Sequence, residues 1–189
     1  MRFDGIVLAG GEARRLGGIA KPEVTVGGRR LLDVALDALS GAATTIVVGP
    51  MMPSSHDVTW TREDPPGGGP VAALAAALAL VEAPEVVVLA ADLPFISAAA
   101  IDTLRIAKGD DPAAIAIDES GHDQPLIGCY DTVRLRAVCP DVPSGVPMRS
   151  LLSELEQAGA IHRLALSGAR PATLDCDTPA DLRRAEELA

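Results

Sequence analysis

Residues 5–21 read GIVLAGGEARRLGGIAK, and the rest of the chain is best understood outward from this stretch. Its apolar run, Ile6-Val7-Leu8, is long enough for a buried strand. The chain then breaks into a glycine-rich loop, with Gly10, Gly11, Gly17 and Gly18 around Arg14 and Arg15, and finishes on Lys21. A strand ending in such a loop leaves backbone N–H groups unpaired at the carboxyl edge of a sheet. Those groups, with a few cations, suit a polyphosphate. Glycine lets the main chain approach phosphates closely and adopt positive φ, and the arginines and Lys21 supply charge that amides lack. By spacing alone the reading stays open between a nucleotide cradle and a plain tight turn. No Gly-Lys-Ser/Thr follows, so this is not a P-loop, and Gly10-Gly11 followed by Gly17 lacks the G-x-G-x-x-G dinucleotide spacing.

Strand-like and helix-like segments alternate along the chain, which predicts an α/β fold with a mostly parallel central sheet and helices on both faces. Apolar residues at 31, 32, 35, 36 and 39 mark a helix over 31–40, closed by Gly41. Residues 45–48 are a β-branched strand that stops at Gly49-Pro50, 51–57 a loop, and 58–61 a short strand. Residues 62–70, REDPPGGGP, hold too many glycines and prolines for a regular element, so they form a shaped loop. That loop is either a connector or a ligand-facing lead into the alanine-rich helix 71–81, which is apolar all round and therefore expected to be buried.

Residues 85–90 are the most strand-like run and are expected at the centre of the sheet. They deliver Asp92 to a carboxyl end, where ligands bind in open α/β sheets. An aspartate there is costly unless it is solvated, hydrogen-bonded or holding a cation. A turn or cap role is the plain alternative, although Ser97 is the better cap for the helix 98–107. A strand at 113–117, a polar turn at 118–123 and a returning strand at 124–130 follow, then helices at 133–138 and 147–159. Arg149 and Ser150 open the latter and fit either an anionic ligand or a solvated first turn. Thr178 or Asp177 caps a last helix, 180–188, with Pro179 at its first position. The three histidines, His56, His122 and His162, are expected alone in loops or at ends, which leaves acyl-transfer chemistry without support.

Length and composition bound the function. At 189 residues with no linker or repeat, the chain 1–189 reads as one domain with a proper core. Aromatics are only 2%, so Val, Leu, Ile and Ala must fill that core. The net charge of −10 disfavours nucleic acid or an anionic membrane bound through a broad basic face. The local cations Arg14, Arg15, Lys21, Arg29 and Arg30 still allow a small phosphorylated ligand. Cys129, Cys139 and Cys176 show no zinc-binding spacing and read as reduced, mostly buried thiols. With no signal peptide and no apolar run longer than 71–81, the expected location is the cytoplasm.

Several motifs together resemble one family. Leu8-Ala9-Gly10-Gly11, Arg15-Leu16-Gly17 and Lys21 are similar to the L-A-G-G-x-x-x-R-L/M-G-x-x-x-K signature of nucleotidyltransferases with a Rossmann-like core. Glu63-Asp64 before GGGPVAAL, the run Ala91-Asp92-Leu93-Pro94-Phe95 and the closing Asp177-Thr178-Pro179-x-Asp181-Leu182 continue the match in order. Within that superfamily the chain most resembles the molybdenum cofactor guanylyltransferases. The resemblance implies a three-layer Rossmann-like nucleotidyltransferase fold. It also implies GTP contacts from Leu8, Ala9, Gly10, Gly11, Lys21, Gly49, Asp64 and Asp92, with Mg²⁺ held by Asp92.

The implied reaction transfers GMP from GTP to the terminal phosphate of molybdopterin, with Arg15 and Lys21 neutralising the leaving pyrophosphate beside Asp92. Other proteins of molybdenum cofactor synthesis are the implied partners. Gly49 stands where the family often has asparagine, Ala20 where it has aspartate, and Asp177 where it has asparagine. Pro22 is shared with relatives that use other substrates. The nearest alternative keeps the chemistry but uses CTP, or a sugar or polyol phosphate as acceptor. A non-catalytic nucleotide-binding regulator would be expected to lose Lys21 or Asp92, and both are present.

Overall fold

The computed structural model describes residues 1–10 and 23–189. The loop residues Gly11, Arg14, Arg15, Lys21 and Pro22 lie outside them. Among the described residues the chain forms nine strands and six helices. The main strands are β1 (Phe3–Leu8), β4 (Thr45–Val48), β5 (Thr59–Thr61), β6 (Glu85–Ala90), β7 (Ala113–Ile117), β8 (Asp123–Asp131) and β9 (Ile161–Ala165). A small hairpin, β2 (Thr25–Val26) with β3 (Arg29–Arg30), stands apart. The helices are α1 (Leu31–Ala38), α2 (Pro70–Leu78), α3 (Ala98–Lys108), α4 (Thr132–Val138), α5 (Met148–Ala158) and α6 (Pro179–Leu188).

The seven-stranded sheet runs in the order β5-β4-β1-β6-β8-β7-β9. Only β8 runs against its neighbours; the remaining pairs are parallel. Side chains alternate across it as a two-residue period requires. Val7, Val47, Val87 and Leu89 point to one face and pack with Leu36 of α1 and Ile101 and Leu104 of α3. Ile6, Ile46, Val86 and Val88 point to the other and pack with Leu74 of α2, Leu135 of α4 and Leu151 of α5. The three-layer α/β architecture expected from the sequence is the one observed.

Most elements fall within a residue or two of their expected limits, and Ser97 caps α3 by accepting the Ala100 N–H. Helix α2 starts at Pro70 and stops at Leu78, short of the expected 81, for a tertiary reason. The carboxylate of Asp4, fully buried on β1, accepts the N–H groups of Glu82 at 2.8 Å and Ala83 at 2.9 Å. That capture draws the chain out of the helix and into β6. Asp4→Ala should therefore cost about 2 kcal/mol, the penalty for stranding a buried donor, read as a lower urea midpoint at unchanged slope.

A second buried carboxylate meets cations instead of main-chain N–H groups. Glu85 opens β6 within 3.4 Å of both Lys108 Nζ and an Arg105 guanidinium nitrogen. Burial, with the Glu85 charge adding to it, pushes the neighbouring Cys129 thiol up to about 12. Cys129 and Cys176 are buried and Cys139 half-buried, all three as free thiols.

Two expectations need correction, and one strand has no local signal. Residues 161–165 form β9, an edge strand whose sequence, IHRLA, carries too few apolar residues to show as one. The histidines are not alone: His56 meets Asp37 at 2.8 Å, and His162, within β9, meets Asp111 at 2.7 Å. Ser54 donates to the main-chain oxygen of His56 and accepts its N–H, and bonds neither ring nitrogen, so no nucleophilic triad arises there. Finally, Arg30 is paired with Asp33 and Arg29 with Asp37, so these two cations serve α1.

Candidate active site

The strand order sets the site. From β1 the chain steps to β4 and β5 on one side, then crosses through α2 to β6 on the other. The carboxyl end of β1 is therefore the point where the winding reverses, the usual ligand crevice of such sheets. Leu8 is in register with Val48 on one side and with Ala90 on the other. Beyond the strand, the Ala9 N–H donates to the Val48 carbonyl at 2.8 Å, and the Ala91 N–H donates to the Leu8 carbonyl at 3.1 Å. These bonds set Ala9-Gly10 beside Ala91-Asp92.

Five of the expected residues, Leu8, Ala9, Gly10, Gly49 and Asp92, thus come together here. Asp92 is half-buried. Gly49, at the end of β4, presses against Ala9: a Cβ there would lie 2.9 Å from the Ala9 carbonyl carbon and oxygen, and its φ is 155°. Its N–H already donates to the Thr61 carbonyl at 3.0 Å, so what Gly49 contributes is room for the Leu8–Gly10 turn. Asp64 is exposed on the same edge, where β5 leaves the sheet, two strands from β1. It begins a constrained loop in which Glu63 accepts the Gly67 N–H at 2.9 Å. Gly11, Arg15 and Lys21 fall outside the described residues.

The structure adds partners that no local pattern announces. The Cys176 N–H donates to the Asp92 carbonyl at 3.1 Å, which brings the closing segment, with Asp175 and Asp177, to the Asp92 turn. The Gly145 N–H, between α4 and α5, donates to the Gly68 carbonyl at 2.8 Å and braces the glycine loop ahead of α2.

Beyond β8, two adjoining cavities of about 250 and 490 Å³ open at the same edge and share Asp118, Glu119, Pro171 and Thr173. Gln124 lines the smaller one and donates to Asp118 at 2.9 Å. The His122 main-chain N–H, followed by the Ser120 N–H and the Gln124 amide, holds the Asp118 carboxyl below its usual range. A further cavity of about 430 Å³, lined by Leu39, Ala43, His56 and Thr59, lies at the opposite edge, away from these residues.

No group of three or more His, Cys, Asp or Glu side chains suited to a metal ion gathers among the described residues. Magnesium does not require such a cage, since it is usually held by one or two carboxylates together with substrate phosphates and water. A half-buried aspartate beside a main-chain turn fits that chemistry.

The comparisons with known proteins bear on the family and the fold. The chain matches the family described as the MobA-like NTP transferase domain over residues 5–159. It is 31% identical to a probable molybdenum cofactor guanylyltransferase of Synechococcus elongatus, across 96% of each chain. It is 34% identical to the molybdenum cofactor guanylyltransferase of a Bradyrhizobium strain, across 70% of this chain and 67% of that one. Among solved structures it resembles molybdopterin-guanine dinucleotide biosynthesis protein A of Archaeoglobus fulgidus, with a TM-score of 0.71, 25% identity and coverage of 98% and 97%. No helix of the described residues is long and apolar enough to cross a membrane. With a winding reversal that sets the signature turn beside Asp92, and with a match over most of its length, the chain belongs to the MobA-like nucleotidyltransferase family.

Proposed function

We propose that this protein transfers GMP from GTP to the terminal phosphate of molybdopterin, in the cytoplasm and alongside other proteins of molybdenum cofactor synthesis. The observation that carries the proposal is the placement of Asp92 against the Leu8–Gly10 turn at the reversal point of the sheet. In this reading the Ala9-Gly10 main chain lies along the triphosphate, Gly49 keeps that path open, and Asp64 holds the nucleoside on the far side. Lys21 and Arg15 balance charge on the phosphates. Asp92 would hold Mg²⁺, whose chemistry is to neutralise the triphosphate and the developing pyrophosphate. A phosphate oxygen of the acceptor attacks the α-phosphorus, the bond from that phosphorus to the β-bridging oxygen breaks, and pyrophosphate leaves with the electron pair. The nucleophile is already an anion, so no base and no covalent enzyme intermediate are needed. Catalysis is then positioning and charge neutralisation.

A thermal-shift panel of GTP, CTP, ATP and UTP, with and without Mg²⁺, tests the nucleotide. At a hundredfold excess over Kd, the cognate nucleotide should raise Tm by on the order of 5–10 °C. Release of pyrophosphate on adding molybdopterin then tests the transfer. A Mg²⁺-dependent rise selective for GTP is expected. Selectivity for CTP instead would assign the protein to the cytidylyltransferase alternative, and no rise with any nucleotide would remove the binding site.

A further inference from the structure

The family match ends at residue 159, yet the chain beyond it returns to the site. A third apolar cluster, separate from the two faces of the sheet, joins Val24, Val26, Leu31, Cys176 and Ala185, with Phe95, Leu174 and Leu182 packed against it. Its members come from three places. Val24, Val26 and Leu31 follow the signature lysine in the chain, Phe95 follows Asp92, and the rest belong to the closing segment and α6.

Polar contacts reinforce the same assembly. The Leu31 N–H donates to the Val24 carbonyl at 2.9 Å and the Cys176 N–H to the Asp92 carbonyl at 3.1 Å. The hairpin turns on Gly27 and Gly28, both at positive φ, and the Gly27 N–H donates to Glu186 on α6 at 3.2 Å. A Cβ on Gly27 would lie 2.8 Å from the Ala189 side chain, so the end of α6 sits directly on that turn. Arg170 lies over the Phe95 ring at 5.3 Å and donates to the Ala189 carbonyl. The helix itself is firmly started, because Thr178 and Asp181 form a reciprocal capping box.

We propose that α6 is a positioning element for the transfer reaction. Leu182 and Ala185, packed through Val24, Val26 and Cys176, hold residues 24–31 against the Asp92 turn. This rests on the nucleotidyltransfer reading of the site. The near end of the loop is held at Ala9 by β4. Segments already held beside the Asp92 turn have less order to gain when a nucleotide binds there, so binding should be tighter. Leu182 touches no substrate in this account, and it acts through residues 24–31 and 92–95.

The test compares Leu182→Ala with Leu135→Ala, a core truncation on α4, which packs with Ile6 and Val88 on one face of the sheet, away from this cluster. Both should lower Tm. Only Leu182→Ala should raise KM for GTP, by about tenfold with a smaller change in kcat, and speed amide exchange over 24–31 and 92–95 in the nucleotide-free protein. If Leu182→Ala does not fold, Leu182→Val carries the same comparison. Kinetics and exchange that match the Leu135→Ala control would overturn the proposal and leave α6 as packing alone. If the wild-type protein binds no nucleotide, the functional reading fails instead, while the exchange comparison still decides whether α6 holds those two segments.

Discussion

Replacing Asp92 with alanine is expected to lower kcat by about a thousandfold, the scale seen when one preorganised electrostatic group is removed from a site, and to leave Tm within a few degrees of wild type. The small stability effect follows from where the fold holds this turn. The Ala91 N–H to Leu8 and the Cys176 N–H to the Asp92 carbonyl are main-chain bonds, which alanine keeps. The large catalytic effect follows from charge, since the triphosphate and the leaving pyrophosphate would lose the carboxylate proposed to anchor their counter-ion. Asp92→Asn separates charge from shape and should be nearly as inactive. Steady-state turnover over a range of Mg²⁺ concentrations is the measurement, and near-normal kcat in Asp92→Ala would sink the metal assignment.

Replacing Gly49 with asparagine is expected to damage this protein. The Gly49 φ of 155° is one that residues with side chains rarely adopt, and a Cβ would lie 2.9 Å from the Ala9 carbonyl. The obstacle is main chain on both sides, so no rotamer relieves it. Either β4 or the Leu8–Gly10 turn must shift. The strain should cost about 2 kcal/mol of stability. GTP should bind at least tenfold more weakly, because the shifted turn is the one proposed to line the triphosphate. Calorimetric titration of GTP against Gly49→Asn and wild type gives the answer. Unchanged affinity would mean that Gly49 plays no part in shaping the turn.

Much of the candidate site's layout is legible in short stretches of sequence. The run ending at Leu8, the strand delivering Asp92 and the loop carrying Asp64 are local patterns, and all three occupy the same sheet edge. The exit of the glycine loop is not legible in this way. Val24, Val26 and the hairpin are too short to show a period, and their partners lie about 150 residues later in the chain. Cys176 reads only as a small buried thiol, and nothing near it in sequence points to Asp92. Gly145 and Gly68 are likewise linked by a single long-range main-chain bond.

By itself the sequence determines the alternation of strands and helices, the two-faced burial of β1, β4 and β6, and the inventory of charged groups available to a phosphorylated ligand. These depend on spacing along the chain, where side-chain period and turn chemistry act over a few residues. Only the tertiary structure decides that β1 lies between β4 and β6, that β8 runs antiparallel, that β9 closes the edge, and that α6 comes back to the loop's exit. Strand pairing and helix docking depend on contacts between distant segments, whose loop-closure cost and packing gain no local period records. The juxtaposition of Gly10, Gly49 and Asp92 is a property of that pairing, and the closing segment joins it through the buried cluster around Cys176 and the Cys176 N–H bond to Asp92.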